Sequence, residues 1–388
     1  MSSAHQVDGH VLTLLKNGAD YFPHLIAAID GASASIYLET YIFADDGVGH
    51  AVAAAMQRAV RRGVAVHLLL DGYGSANFPK NWLAELRDSG VQVLKFRPEI
   101  SWLTLRRQRL RRLHRKLSVI DGRIAFVGGI NIIDDMDGED ITAPRLDYAV
   151  KIEGGTVLNV QAAVRRLWMM VSWLAFRHRH DVILPRPQPP AASRQVMLLV
   201  RDNLRNRRRI EQAYLSAIAN ARHEILLANA YFLPSRNFRQ ALRQAAERGV
   251  KVVLLLQGKI EYRLQHYATL SLYDELLGAG VQIYQYHASY LHAKVAVVDG
   301  DWATVGSSNI EPFSLWLARE ANLVVRDQAF AAALRDDLLD EMARGASMVD
   351  HAAWSRRGIW VRVATHLSYL FMKFLTSLIG MSRGKEDV

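Results

Sequence analysis

A chain of 388 residues, half of them hydrophobic and 22% charged, can bury a sizeable core in more than one domain, and its composition argues against a disordered polyelectrolyte. Lys and Arg number 48 against 38 Asp and Glu, a formal net charge of +10 with a pI near 9.8. That balance favours polyanionic partners: nucleic acid, an anionic lipid surface or a phosphorylated substrate. The absence of cysteine excludes a disulfide scaffold, a Cys-ligated zinc and a thiol nucleophile.

The N-terminal MSSAHQVDGH has no apolar run, so no secretory leader is expected. Nor is a transmembrane helix, because no stretch of 18 or more uncharged apolar residues occurs. An Ala-rich helical stretch at 50–60 leads through Arg62-Gly63-Val64 into the strand AVHLLLD. A helix pattern follows, and a second strand opens at Gly90-Val91-Gln92. Residues 99–113, EISWLTLRRQRLRRL, mix Trp102, Leu103 and Leu105 with Arg106, Arg107, Arg109, Arg111 and Arg112. The segment reads as an arm docking on anionic headgroups; a solvated basic loop or a nucleic-acid arm is the competing reading. LHRKLSVIDGRIAFVGGIN then reads as strand, Asp-Gly turn, strand: a β-hairpin. The stretch 165–180, with Trp168, Met169, Trp173 and Phe176, reads chiefly as core, with part of it a candidate acyl-chain groove. Four prolines between 185 and 190 can continue neither a helix nor a central strand and mark a linker.

The second half repeats the first. Another Ala-rich helix (RQALRQAAE) runs through Arg248-Gly249-Val250 into KVVLLLQ. Gly280-Val281-Gln282 opens the next strand, and LHAKVAVVDGDWATVGSSN closes the series. The offset is 178 residues at the histidines and 186 to 190 upstream, so the first half carries about a dozen extra residues before its hairpin. The chain divides into an N-terminal domain (1–185), a Pro-rich linker (186–195), a C-terminal domain (196–350) and a tail (351–388). Strands alternating with helices in both halves predict an α/β class with largely buried sheets. In the tail, Leu367, Leu370, Phe371, Phe374, Leu375, Leu378 and Ile379 form one apolar stripe at helical spacing. An interfacial helix is the leading expectation there; a helix packed on the core or a self-association face is the alternative.

The two hairpins carry the chemistry. His114 and Lys116 lie two apart on a strand and share a face, as do His292 and Lys294. Asp121 and Asp299 occupy the turns, and Gly128-x-x-Asn131 and Gly306-x-x-Asn309 follow at equal distance. Phosphodiester transfer needs a nucleophile, an acid for the leaving oxygen and donors for the remaining oxygens. Two imidazoles supply the first two; two lysines and the amides of Asn131 and Asn309 supply the third. His114, Lys116, Asp121, His292, Lys294 and Asp299 are the candidate catalytic set, with Asp121 and Asp299 read as holding the turns rather than touching substrate. The inventory requires no metal and no cofactor.

These residues make the chain similar to the phospholipase D superfamily, whose mark is His-x-Lys-x4-Asp-x6-Gly-x-x-Asn, twice. It most resembles the bacterial cardiolipin synthase branch, with IYLETYIFADD, LDYAVKIEGG and ILLANAYFLPS as supporting segments. The resemblance implies a duplicated phospholipase D fold: two mixed β-sheet domains with flanking helices, packed as a pseudo-twofold dimer around one site. It implies a phosphohistidine intermediate, with His114 as nucleophile and His292 as acid, an assignment the duplication leaves reversible. It also implies a carboxylate behind each histidine. Asp147 and Glu320 stand at corresponding places after the hairpins, and the expected pairs are His114–Asp147 and His292–Glu320; ordinary strand-edge carboxylates are the alternative.

The expected activity is membrane-associated phosphatidyl transfer to phosphatidylglycerol, with anionic phospholipid and a membrane surface as partners and no nucleic acid. A hydrolytic phospholipase D shares the first half-reaction. A nuclease of the same superfamily and a non-enzymatic lipid- or nucleic-acid-binding module are the remaining alternatives.

Overall fold

The computed structural model describes residues 3–97, 111–136, 143–174, 193–202, 206–311 and 318–381, with side chains as far as residue 375. Most of the Trp/Arg-rich arm (98–110), linker residues 186–192, Phe176 and the side chains of Leu378 and Ile379 lie outside it.

The first half runs β1 (Ala4–Val7), β2 (His10–Lys16), α1 (Asn17–Asp30), β3 (Ser35–Thr40), α2 (Gly47–Arg61), β4 (Ala65–Asp71), α3 (Lys80–Asp88), β5 (Gln92–Phe96), β6 (Arg112–Leu113), β7 (Lys116–Ile120), β8 (Ile124–Gly128), β9 (Tyr148–Glu153) and α4 (Thr156–Leu174). The second runs β10 (Val196–Arg201), α5 (Arg209–Asn220), β11 (Glu224–Asn229), α6 (Arg236–Glu247), β12 (Lys251–Gln257), α7 (Arg263–Leu270), α8 (Tyr273–Gly278), β13 (Gln282–Tyr286), β14 (Lys294–Val298), β15 (Trp302–Gly306), β16 (Ala318–Arg326), α9 (Gln328–Gly345), β17 (Ala346–Met348), α10 (His351–Ser355) and α11 (Ile359–Met381).

Each half builds one mixed sheet. The strand orders are β1-β2-β9-β8-β7-β3-β4-β5 and β10-β16-β15-β14-β11-β12-β13-β17. From β2 to β5 and from β10 to β13 the two orders match strand for strand, as duplication requires; β1 and β17 are additions at opposite edges. Strands β3, β4 and β5 pair in parallel, as do β11, β12 and β13; the hairpin strands pair antiparallel. Parallel strands covered on both faces read as continuous apolar runs. In β4 only Ala65 is exposed, and in β12 only Lys251 is fully exposed.

The sheets pack against each other through β8, β9, β15 and β16. Val127 and Val150 of one half and Val305 and Leu323 of the other join a single buried cluster there, flanked by Val164 of α4 and Leu334 of α9. Two outer cores lie beneath the remaining helices: Leu25, Met56 and Leu86 on one side, Ile218, Leu242 and Leu276 on the other. A core of this size and continuity makes the two halves one folding body.

The turns are held as the sequence suggests. Asp121 and Gly122 have φ of 53° and 64°, and Asp299 and Gly300 have φ of 51° and 71°, the left-handed pair a tight hairpin needs. Asp121 also accepts hydrogen bonds from the backbone N–H of Ser33, Ala34 and Ser35, each at 2.8 Å. Asp299 accepts the same three from Arg222, His223 and Glu224. Each aspartate therefore pins its hairpin to the start of the neighbouring strand, at the end of the sheet away from the histidines.

Helix α11 lies on α7 through a narrow face, with Thr365 and Met372 buried. Its other face is open: Leu367 is 59% exposed, Phe371 50% and Phe374 59%. The packing reading of the tail holds for one face of the helix, and the opposite face stays exposed. No helix among the described residues is long and apolar enough to cross a membrane. In α4, Trp168 is core against Tyr37 and His67, whereas Met169 and Trp173 face outward. None of the described residues of that stretch lines the cavity of about 340 Å³ that holds His114 and His292.

Candidate active site

The backbone joins the halves at the site. The two-residue strand β6 leaves its own sheet and pairs in parallel with β16, Arg112 opposite Ala318 and Leu113 opposite Arg319. The His114 N–H donates to the Arg319 carbonyl at 3.0 Å. The mirror contact is present: Leu146 bridges Leu291, and the His292 N–H donates to the Leu146 carbonyl at 2.9 Å. Each histidine is therefore hung on the opposite half, one residue before that half's carboxylate.

This geometry corrects the expected pairs. His114 Nδ1 lies 3.0 Å from Glu320 Oε1, and His292 Nδ1 lies 2.6 Å from Asp147 Oδ2. The carboxylates do stand behind the histidines, but crossed between halves: His114–Glu320 and His292–Asp147. Order along the chain suggested pairing within a half; the swapped β6 and its mirror exchange the partners. Glu320 is fully buried and also accepts from the Ser307 hydroxyl, with the Arg201 guanidinium at 3.7 Å.

Both histidines line one cavity of about 340 Å³, together with Asn131, Asn309 and Asp147. Lys116 and Lys294 lie just beneath it, 3% and 0% exposed. Lys116 Nζ donates to the His114 carbonyl at 2.7 Å, and Lys294 Nζ donates likewise to the His292 carbonyl. Each lysine is thus tied to the backbone of its own motif histidine. Asn131 Oδ1 accepts from the Ile42 N–H at 3.2 Å, and Asn309 Oδ1 is buried without a hydrogen-bond partner among the described residues. The motif glycines are explained by close approach: a Cβ on Gly128 would strike Ala149, and one on Gly306 would strike Asn322.

Asp121 and Asp299, placed in the catalytic set on the motif alone, do not line the cavity. Conversely, Tyr41, Tyr231, Arg112, Arg145, Asp135, Glu261, Gln265 and Glu311 line it and were not singled out as site residues. Tyr41 and Tyr231 stand one place apart in the corresponding segments IYLETYIF and ILLANAYF, Tyr231 at the place of Ile42. Tyr41 packs edge-on to His114 at 4.9 Å and lies 5.4 Å from Lys116 Nζ. Asp134 turns away, accepting from the Met136 N–H, while Glu311 faces the cavity and accepts from Gln265.

Electrostatics separates the two histidine couples. Burial lowers the His114 pKa, against the attraction of Glu320. Burial pushes Glu320 up, but His114, Arg201 and Lys116 outweigh it and hold the carboxyl below its usual range. Burial lowers His292 well below its ordinary value, reinforced by Lys294 and Lys116. Burial raises its partner Asp147 to about 6. The two carboxylates are thus shifted in opposite directions, Glu320 down and Asp147 up. Burial also brings Lys116 down to about 7.

The family described as cardiolipin synthase, PLD-like domain, matches residues 25–136 and 214–342. Cardiolipin synthase B of Escherichia coli (strain K12) is 38% identical, the alignment covering 96% of this chain and 90% of that protein. Cardiolipin synthase A of Klebsiella pneumoniae is 31% identical over 95% of this chain and 76% of its own length. Among solved structures, phosphatidylserine synthase of Haemophilus influenzae Rd KW20 superposes with a TM-score of 0.71 at 13% identity, covering 97% of this chain and 96% of that one. At that identity the likeness concerns the fold, and it extends to polyphosphate kinase of Porphyromonas gingivalis, with a TM-score of 0.55 at 15% identity. The family match over both halves, together with relatives at these identities over nearly the whole chain, shows that the protein belongs to the cardiolipin synthase family of phospholipase D-like enzymes.

Proposed function

We propose that the protein makes cardiolipin at an anionic membrane surface by transferring a phosphatidyl group to a glycerol hydroxyl of phosphatidylglycerol. The observation that carries this reading is the pair of crossed histidine–carboxylate couples facing one cavity, with two asparagines lining the same space and two buried lysines tied to the histidine backbones.

His114, whose Nδ1–H is held by ionised Glu320, presents the Nε2 lone pair and attacks phosphorus. A P–N bond forms and the bond from phosphorus to the leaving alcohol oxygen breaks. The His292–Asp147 couple gives that oxygen its proton. The acceptor hydroxyl then attacks phosphorus and passes its proton back to His292, the P–N bond breaks, and His114 is restored. Lys116, Lys294, Asn131 and Asn309 offset the charge on the non-bridging oxygens. Asp121 and Asp299 act on this site only through the hairpins they pin.

Phosphatidylglycerol and a membrane surface are proposed as partners on two further features. The net charge of +10 attracts an anionic surface, and the open face of α11 offers Leu367, Phe371 and Phe374 to its apolar layer. The test is cardiolipin formation in phosphatidylglycerol vesicles, followed by mass spectrometry. His114→Ala and His292→Ala are each expected to lower the rate by at least about a thousandfold, since each removes a covalent or proton-transfer role. Normal yield from either variant would sink the mechanism.

A further inference from the structure

The two walls of the catalytic cavity come from matching segments that carry different chemistry. The bridge between Phe43 and Ile132 in the first half recurs between Phe232 and Ile310 in the second. The Ala44 N–H donates to the Ile132 carbonyl and the Leu233 N–H to the Ile310 carbonyl, each at 2.8 Å. That register sets Tyr231 at the place of Ile42 and Glu311 at the place of Ile133, and all four line the cavity. The loop after β12 and the start of α7 add Glu261, Tyr262 and Gln265 to the lining, whereas the segment between β4 and α3 adds nothing. At these places the pseudo-twofold relates apolar side chains to polar ones.

The polar wall is wired within itself. The Tyr231 hydroxyl donates to Glu261, and the Gln265 amide donates to Glu311, so both donors and both acceptors belong to the cavity lining. Glu311 is only 8% exposed. The Ala230 N–H, next to Tyr231, donates to the Ala293 carbonyl at 3.0 Å, which sets this wall beside His292. The polar groups that the first half supplies are engaged elsewhere. Tyr41 packs edge-on to His114, Arg112 lies over the Tyr73 ring at 5.1 Å, and Asp135 accepts from the Gly18 N–H while Arg145 offsets its charge.

Carboxylates beside a phosphodiester repel it, and an ionised phosphodiester has no proton to donate to them. Glu261 and Glu311 do favour the charged form of Lys294. Offsetting that charge, however, gives no duty to the phenol and the amide that line the same wall. An alcohol hydroxyl both donates and accepts, and carboxylate, phenol and amide together meet it in both roles; an ammonium only donates. A wall built to pair with hydroxyls rejects an analogue that lacks them, because its own polar groups then go unpaired.

Resting on the transfer reading above, in which the leaving and the attacking alcohol exchange a proton with His292, we infer that Tyr231, Glu261, Gln265 and Glu311 bind the free hydroxyls of a glycerol headgroup and so select a polyol as the alcohol that leaves and attacks.

The experiment offers deuterated glycerol, 1-propanol and ethanolamine together, in equal amounts, to the enzyme on phosphatidylglycerol vesicles, and reads the three phosphatidyl-alcohols by mass spectrometry. All three come from the same phosphatidyl-enzyme, so their ratios are independent of how much enzyme is folded. Wild type is expected to favour glycerol over 1-propanol by at least about tenfold. Glu311→Ile installs the residue of the opposite wall and is expected to lower that ratio by about tenfold, the loss of a hydrogen bond to a charged group. Glu311→Gln keeps an acceptor and is expected to retain most of the preference. Tyr231→Phe removes one hydroxyl and is expected to lower the ratio by about threefold, and Ile133→Val, on the apolar wall, to leave it unchanged. A ratio unmoved in Glu311→Ile and Tyr231→Phe, with only total product falling, would assign the wall to the Lys294 charge and overturn the inference while leaving the transfer reading standing. Ethanolamine taken ahead of glycerol, with that lead lost in Glu311→Gln, would overturn the polyol assignment in favour of an ammonium. Cardiolipin formed with none of the three products would overturn the inference alone, and wild type forming neither would overturn the transfer reading with it.

Discussion

His114 and His292 are the same side chain in matching places, and their surroundings make them different. Each is buried, and each has a carboxylate on Nδ1. Glu320 keeps its charge because His114, Arg201 and Lys116 surround it, whereas burial holds Asp147 up at about 6. A duplicated motif thus gives two histidine–carboxylate couples in different electrostatic surroundings, which is what the proposed division into nucleophile and acid requires. Lys116 adds a pH dependence. Its ammonium is brought down to about 7 by burial, so in the empty cavity it loses its proton as pH rises through that value. The charged form is the one that attracts a phosphodiester, so KM for lipid is expected to rise between about pH 7 and pH 8.5. Lys116→Arg stays charged throughout and is expected to flatten that rise, whatever its absolute rate. Equal pH dependence of KM in wild type and variant would remove Lys116 as the cause.

At the scale of elements, the hairpin turn is the unit that carries the motif. Asp299 occupies a left-handed position and accepts three backbone N–H groups. Its carboxyl is lowered, the three N–H donors outweighing a burial effect that acts the other way. Asp299→Ala is expected to destabilise the fold by about 1–3 kcal/mol, toward the lower end because water reaches the turn. The sign of the pH effect follows. A depressed carboxyl contributes above its unfolded pKa, near 3.8, and that contribution fades as pH falls through the lower folded value. Thermal melts of wild type and variant should therefore differ at pH 7 and converge in acid. A gap that persists undiminished in acid would assign the cost to backbone strain alone.

This turn also shows what could be read from the chain. Asp-Gly between two apolar runs reports a hairpin because a left-handed turn needs those residue types. That the carboxylate reaches the three N–H groups opening the neighbouring strand is a long-range contact, which no local pattern reports. The crossed couples lie further out of reach. Asp147 and Glu320 were legible as acids following each hairpin, yet their partners depend on β6 and its mirror adding to the opposite sheet.

For the whole molecule, the charge and the exposed face of α11 act together. Leu367, Phe371 and Phe374 lie on the face opposite Thr365 and Met372, so replacing the three by Ser leaves the packing on α7 in place. Each large apolar side chain contributes about 1.5–3 kcal/mol when withdrawn from water. The triple variant is expected to bind phosphatidylglycerol vesicles at least about a hundredfold less tightly in co-sedimentation. Binding of the wild type should weaken as salt rises, because the electrostatic share of a protein carrying +10 is screened. Undiminished binding by the triple variant would move the membrane contact elsewhere on the surface.

The sequence alone determined that the chain is duplicated, that it alternates strand and helix, and that two hairpins carry a His-x-Lys motif each. These are properties of order and spacing: a period of two on a strand places His and Lys on one face, and a repeat implies a pseudo-twofold. Tertiary structure decided which carboxylate serves which histidine, which strand each motif aspartate pins, and that the motif lysines are buried. The crossed couples depend on strands exchanged between halves, which bring residues more than a hundred positions apart into contact.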